Sequence, residues 1–343
     1  MININNLVRP NVLKAKAYSS SRSEFSGEAN VFLDANENPF GQLNRYPDPD
    51  QVALKKRLAV KNNLKVSQVA IGNGSDELID LLIRIFCRPG LDKTLSFSPT
   101  YGMYNVYSQI NDVEMMDCPL GPSFQIDLEV VNEIMFNPLV KLIFICSPNN
   151  PTGNTIDISA IEYILSSFSG VVVVDEAYID FSEQKSLISL LDKYANLVVL
   201  QTMSKAWGLA SARIGMAYSS EFIVGLISKI KPPYNISKLN QQAAVAALKD
   251  EGVFKENVTA IISERNLIFQ SLQELSIVRK VYPSETNYLL VDFYNANAVY
   301  QFLINMKIVV RNRCEMVNDC LRISIGTSDE NRILIDTLKK ATL

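Results

Sequence analysis

The sequence predicts an α/β protein with a large domain, built on a mostly parallel central sheet covered by helices, and a smaller α/β domain at the C-terminal end. Three observations carry this prediction. Short, wholly apolar runs at residues 142–146, 171–174 and 197–200 alternate with stretches of helical spacing, which is the pattern of parallel strands buried on both faces. Each run ends in polar residues: Ser147-Pro-Asn-Asn-Pro-Thr-Gly153, Asp175, and Gln201-Thr-Met-Ser-Lys205. Ligands of open parallel sheets sit outside the carboxyl ends of the strands. Finally, Pro232 and Pro233 mark a boundary, after which strands and helices mix again, as in a second α/β unit.

Taken in order, residues 1–30 are polar and irregular and read as an arm. Three prolines, a glycine and an aspartate between residues 38 and 49 are turn chemistry. Helix signals follow at residues 50–61. A strand at residues 69–71 ends in Gly72-Asn-Gly74, with Ser75 and Asp76 placed to cap an apolar helix through Phe86. Helical spacing at residues 157–168 and near 187–194 separates the three apolar strands. Beyond the prolines come a long helical region at 239–275, a strand at 288–293, a helix at 298–306, strands at 307–311 and 321–325, and a last helix capped by Ser328 or Asp329. The expected division is an arm (1–30), a large domain (31–233) and a small domain (234–343).

Composition narrows the chemistry. The 343 residues hold 33 Lys+Arg against 36 Asp+Glu, a net charge of −3, which argues against nucleic acid or an anionic membrane as main partner. There is no histidine. That removes Ser-His-Asp and Cys-His catalysis, and with them most catalytic zinc sites, so acid and base work falls to Lys, Tyr, Asp, Glu or a cofactor. Five scattered cysteines without a C-x-x-C pair point to neither a disulfide framework nor a metal site. No segment reaches the ~20 apolar residues of a spanning helix. The N-terminus carries no signal-like apolar stretch, and a cytoplasmic protein is expected.

Several residues could act together. Lys205, just past a buried strand, is a candidate nucleophile if desolvated. Arg213 suits a phosphate bidentately. Asp175, reached straight from four valines, would be costly to bury without a cation, and a pyridinium N–H is such a cation. Tyr178 and Asn150 could reach the same ligand. Gly74-Ser75-Asp76 at a helix start offers backbone N–H groups to a phosphate. The dinucleotide fingerprint fails, because Glu77 stands where a third glycine is required. The set is what a pyridoxal phosphate site requires.

At these residues the chain resembles the fold-type I, aspartate-aminotransferase-like enzymes, and within them the histidinol-phosphate aminotransferase subgroup. The likeness runs through Val8-Arg-Pro-Asn11, Leu33-Asp-Ala-Asn-Glu-Asn-Pro39, Arg45-Tyr-Pro-Asp-Pro49, Gly72-Asn-Gly-Ser-Asp-Glu77 and Ser98-Pro-Thr-Tyr-Gly-Met-Tyr104. It continues through Ser147–Gly153, Val174-Asp-Glu-Ala-Tyr178, Thr202-Met-Ser-Lys205 and Leu321-Arg-Ile-Ser-Ile-Gly326. One departure is Asp34, where the subgroup commonly has Asn. The resemblance implies that Lys205 carries pyridoxal 5'-phosphate covalently and shuttles a proton between substrate and cofactor carbons. It implies that Asp175 keeps the ring nitrogen protonated, that Asn150 and Tyr178 bond the ring oxygen, and that Tyr101 stacks on the ring. Ser75, Asp76, Thr202, Ser204 and Arg213 would surround the phosphate, joined by Tyr46 from the other subunit of a homodimer. Arg322 would clamp the carboxylate of glutamate and 2-oxoglutarate. Tyr18, in the arm, and Asn36 would contact substrate. Arg311 falls at the substrate-phosphate position, but its spacing to Arg322 is short, so Arg313 is a rival.

The first expectation is therefore transamination of L-histidinol phosphate with 2-oxoglutarate. Aromatic amino acid transamination on the same fold, a threonine-phosphate decarboxylase (a lyase), and a cofactor-binding regulator are the alternatives.

Overall fold

The computed structural model describes residues 4–19, 24–25 and 30–341. Seven strands form one sheet: β1 (Val69–Asn73), β2 (Lys93–Ser98), β3 (Glu114–Pro119), β4 (Val140–Cys146), β5 (Val171–Asp175), β6 (Leu197–Thr202) and β7 (Ile214–Ser219), in the order β1-β7-β6-β5-β4-β2-β3. All neighbouring pairs from β3 to β6 are parallel, and β7 runs antiparallel to both β1 and β6. The pleat of β5 shows why an unbroken valine run suits the centre. Val172 and Val174 enter one hydrophobic layer, and Val171 and Val173 enter the other.

Helices cover both layers. On one side lie α2 (Val52–Lys61), α5 (Leu128–Met135), α6 (Ile158–Ser167) and α8 (Lys238–Ala247), anchored by Leu54, Val131, Ile161 and Ala244. On the other lie α1 (Pro10–Lys14), α3 (Gly74–Phe86), α4 (Met103–Ile110) and α7 (Glu221–Ile230), anchored by Val12, Leu78, Tyr104 and Ile223. Within the expected arm, Ile4, Val8 and Val12 pack into this second layer. Residues 20–23 and 26–29 lie outside the described residues.

A second sheet has β8 (Val278–Val281), β9 (Tyr288–Phe293), β10 (Arg311–Asn312) and β11 (Cys320–Ser324), all antiparallel in the order β10-β11-β9-β8. Its core takes Ile268 from α9 (Glu251–Gln273), Leu303 from α10 (Ala296–Asn305) and Leu334 from α11 (Ser328–Leu338). Ile236, Ala244 and Leu248, all beyond residue 233, pack into the large sheet's core. A small cluster of Tyr178, Phe181 and Ala206 with Val258 and Tyr288 joins the two bodies. Among the described residues no helix is long and apolar enough to cross a membrane.

Several elements differ from the sequence expectation. The stretch near 187–194 is a 3-10 turn, Leu187–Leu190, too short to nucleate an α-helix. The region 239–275 is two helices, because Asp250 accepts a bond from Val253 N–H and starts a new helix. The last helix is capped by Thr327 in a capping box with Glu330 rather than by Ser328 or Asp329. Likewise α3 starts a residue early, at Gly74, with Glu77 accepting from the Asn73 N–H at 2.6 Å. The strand expected at 307–311 shrinks to Arg311–Asn312.

Candidate active site

The carboxyl ends of β4, β5 and β6 lie side by side, with Cys146 opposite Asp175 and Asp175 opposite Leu200. Their polar ends therefore open into one cavity of about 270 Å³. It is lined by Ser75, Asp76, Tyr101, Asn150, Asp175, Tyr178, Thr202, Ser204, Lys205, Arg213, Arg311 and Arg322, together with Cys146, Ala177 and Arg313.

Lys205 sits in the turn after β6, closed by Gly208 N–H donating to its carbonyl at 3.1 Å. Its Nζ lies 5.6 Å from the Tyr178 ring centroid. Burial, and then the nearby Arg322 charge, lower its pKa from the ordinary lysine value. Asp175 is buried at the end of β5, accepting from Tyr104 Oη at 2.9 Å and from Ala177 N–H at 3.1 Å. Burial pushes its carboxyl up to about 6 against those two bonds. Burial also raises the Tyr178 phenol, so its hydroxyl stays a donor.

The end of the cavity at the start of α3 is a phosphate cradle. Gly74 has φ +76°, and a Cβ on Gly215 would fall inside the backbone of Gly74 and Ser75. The Gly74 N–H donates to the Arg213 carbonyl at 2.8 Å, and the two glycines bring the next N–H groups of α3, those of Ser75 and Asp76, to the cavity without a side chain in the way. Arg213, itself left-handed at φ +54°, reaches in from the opposite strand. Its Nη2 lies 3.6 Å from Asp76 Oδ2, and its Nη1 donates to Ser204 Oγ at 3.5 Å. Ser204 is held by Thr202, whose hydroxyl lies 3.0 Å from its own. Tyr101 Oη donates to Asp76 Oδ1 at 3.0 Å. A helix N-terminus, a guanidinium and two hydroxyls fit a phosphate dianion, while a buried carboxylate fits a pyridinium nitrogen. The residues present fit pyridoxal phosphate.

The opposite wall is cationic. Arg311 pairs directly with Arg322 across the antiparallel β10–β11 ladder, and Arg313 follows two residues on. Directly opposed and alternate positions share one sheet face, so all three guanidiniums reach the cavity. Arg322 Nη1 donates to Asn150 Oδ1 at 2.6 Å and lies over the Tyr288 ring at 5.1 Å. The Nε atoms of Arg313 and Arg322 are buried without a partner. Arg311 is the most exposed of the three.

Three expected site residues lie elsewhere in the chain. Tyr46, 51% exposed, stacks on Tyr234 at 4.5 Å and with Asn36 lines a separate hollow of about 650 Å³. Tyr18 is exposed and lines neither. Conversely, Tyr104, Cys146 and the Ala177 N–H escaped the sequence reading. Tyr104 stands in the quoted motif Ser98–Tyr104, but its bond to Asp175 spans 71 residues, and nothing local announces it.

Fold and donor set together define a fold-type I, pyridoxal-phosphate-dependent enzyme. A model of the family described as Aminotransferase class I and II matches residues 20–338, and the chain belongs to that family. It is a pyridoxal-phosphate-dependent aminotransferase, which sets the regulator reading aside. The histidinol-phosphate aminotransferase of Parabacteroides distasonis is 49% identical over 346 residues, covering 100% of both chains. That of Cytophaga hutchinsonii is 45% identical over 343 residues, covering 98% of each. Among solved structures, the histidinol-phosphate aminotransferase of Sinorhizobium meliloti in complex with pyridoxal-5'-phosphate superposes at TM-score 0.80 and 26% identity, over 86% of this chain and 82% of that one. The L-threonine-O-3-phosphate decarboxylase of Porphyromonas gingivalis shares the fold at TM-score 0.73 and 19% identity, over 87% and 90%.

Proposed function

We propose that the chain transfers the amino group of L-histidinol phosphate to 2-oxoglutarate, giving imidazole acetol phosphate and glutamate, by a ping-pong sequence in histidine biosynthesis. The observation that carries this reading is the face of three arginines opposite Lys205, since a phosphorylated donor and a dicarboxylate acceptor both demand cations there. Relatives matched over the whole length and named histidinol-phosphate aminotransferases support the donor.

When bound, pyridoxal phosphate supplies an electron-withdrawing ring that stores the pair released from the substrate Cα–H bond. Lys205 Nζ, with its charge disfavoured by burial, would be the group that carries a proton between the substrate Cα and the bound cofactor. Asp175 accepts the ring N–H. The Asn150 amide and the Tyr178 hydroxyl hold the ring oxygen, and Tyr101 covers one ring face. Ser75 and Asp76 through their N–H groups, with Thr202, Ser204 and Arg213, hold the phosphate. Arg322 orients the carboxylate of glutamate, and Arg311 or Arg313 receives the substrate phosphate. These roles divide between the large domain, which holds the cofactor, and the small domain, which brings the arginines. The large domain, expected at 31–233, is carried by the packing of Ile236, Ala244 and Leu248 to about residue 248, and the small domain (expected at 234–343) comes after it.

The working unit is a homodimer in the cytoplasm, with Tyr46 completing the partner's phosphate site and Tyr18 and Asn36 contacting substrate. Exposed Leu33, Phe40 and Leu43 beside Tyr46 support burial of this segment by a second copy.

The test is a half-reaction followed by absorbance. Protein loaded with pyridoxal phosphate is mixed separately with histidinol phosphate, glutamate, phenylalanine and threonine phosphate. Conversion to the pyridoxamine form by the first two, slow with phenylalanine, is expected. Fast conversion by phenylalanine alone would make it an aromatic aminotransferase, and carbon dioxide released from threonine phosphate would make it a lyase.

A further inference from the structure

The carboxylate of Asp175 is only 3% exposed. A group so buried depends on its donors, and the two that reach it, Tyr104 Oη and Ala177 N–H, are both neutral. Lys205, the cation that faces it, has its own charge disfavoured by burial. The Tyr104 hydroxyl is thus the one side-chain donor hydrogen-bonded to this carboxylate among the described residues.

The phenol is aimed by packing. Tyr104 is completely buried, its ring stacked on Phe144 at 5.0 Å and 7° and set edge-on to Tyr101 at 5.5 Å and 84°. Tyr101 and Tyr104 flank the start of α4, so one short segment sends one tyrosine to the cavity and the other behind Asp175. The chain has no histidine to serve as an alternative donor. A phenol differs from an imidazole in consequence. An imidazole beside a carboxylate titrates near neutrality, whereas burial raises the Tyr104 phenol well above its ordinary value, so it donates at every working pH.

We propose that Tyr104 is a positioning residue for the cofactor: its hydroxyl holds Asp175 as an oriented anion, and through Asp175 it keeps the proton on the pyridine nitrogen. The proposal rests on the reading that this cavity binds pyridoxal phosphate. Losing the hydroxyl makes the Asp175 carboxylate more basic, so it draws the shared proton toward itself and weakens the ring as an electron sink.

The test loads wild-type protein and Tyr104→Phe with pyridoxal phosphate carrying ¹⁵N in the ring and reads the nitrogen chemical shift. Phenylalanine keeps the packing against Phe144 and Tyr101 and deletes only the hydroxyl. The wild type should give a pyridinium shift and Tyr104→Phe a shift moved toward unprotonated pyridine. Its cofactor Kd should rise about tenfold, as for loss of one hydrogen bond to a charged group, and kcat should fall with little change in KM. In an Asp175→Ala background the same substitution should leave cofactor Kd unchanged, because Tyr104 acts through Asp175. An unchanged shift in Tyr104→Phe, or equal losses of affinity in both backgrounds, overturns the proposal. Should Tyr104→Phe fail to fold, a more acidic fluorotyrosine at position 104 must move the shift the other way, and no movement overturns it equally. A wild-type protein without a pyridinium signal would sink the cofactor reading along with it.

Discussion

At the scale of single residues, burial raises the carboxyls near Lys205 above their ordinary range. Asp175 is pushed up to about 6 and its neighbour Glu176 up to about 7, in both cases by desolvation. Among the described residues Glu176 has neutral hydrogen-bond partners, the Ser186 hydroxyl, the Leu187 N–H and the Gln201 amide. The folded chain therefore keeps protons that the unfolded chain, with carboxyls near about 4, has already released. The unfolded state binds fewer protons through this window, so stability falls as pH rises. The contribution is intact below about pH 4 and lost by about pH 7. A pyridinium beside Asp175 offsets its share and leaves those of Glu176 and of Asp180, which burial also pushes up to about 6. The Tm of cofactor-free protein is accordingly expected to drop between about pH 5 and 7.5, and that of loaded protein to drop less. Glu176→Gln should reduce the remaining slope and leave the part due to Asp180. Thermal melts across that range decide it, and parallel curves for free and loaded protein would reject the role given to Asp175.

At the scale of elements, the phosphate cradle depends on two glycines that fail differently when filled. Gly74→Ala imposes a left-handed alanine, worth roughly 1–2 kcal/mol, and meets only the movable end of Arg213. Gly215→Ala drives a methyl into the backbone of Gly74 and Ser75, so the α3 N-terminus itself must shift, at a cost of about 3 kcal/mol or more. Both should weaken cofactor binding, and Gly215→Ala should be the less stable in chemical denaturation. The reverse order would mean that the cradle tolerates movement. The elements legible in the sequence were those whose environment is uniform. β4, β5 and β6 are buried on both faces and read as apolar runs, and each delivers site residues at its end. β2 was hidden because Thr94 and Ser96 are buried polar residues, satisfied by Ser108 and by the Phe144 carbonyl. β7 was hidden because Gly215 interrupts it for the sake of the cradle. Lys205, Asp175 and Arg213 could be read from strand ends and motif, whereas Tyr104 and the shared face of Arg311, Arg313 and Arg322 depend on pairings that only the folded sheets reveal.

At the scale of the whole molecule, the separation of Tyr46 from the Lys205 cavity invites a complementation experiment. If Tyr46 serves the partner's phosphate site, a dimer mixing Lys205→Ala and Tyr46→Ala subunits contains one intact site. That site takes its lysine from the Tyr46→Ala subunit and its tyrosine from the other, while the second site carries both defects. If Tyr46 serves its own subunit, each site in the mixed dimer carries one defect and none is intact. Each homodimer alone should be impaired: Lys205→Ala by about 10²-fold or more, and Tyr46→Ala in its affinity for the cofactor. Unfolding and refolding the two variants together at equal concentration places half of the dimers in the mixed state, so activity should rise to about a quarter of wild type. Activity that stays at the average of the two separate variants would return Tyr46 to its own subunit and leave the exposed segment around Leu33, Phe40 and Leu43 without its proposed role at the partner's site.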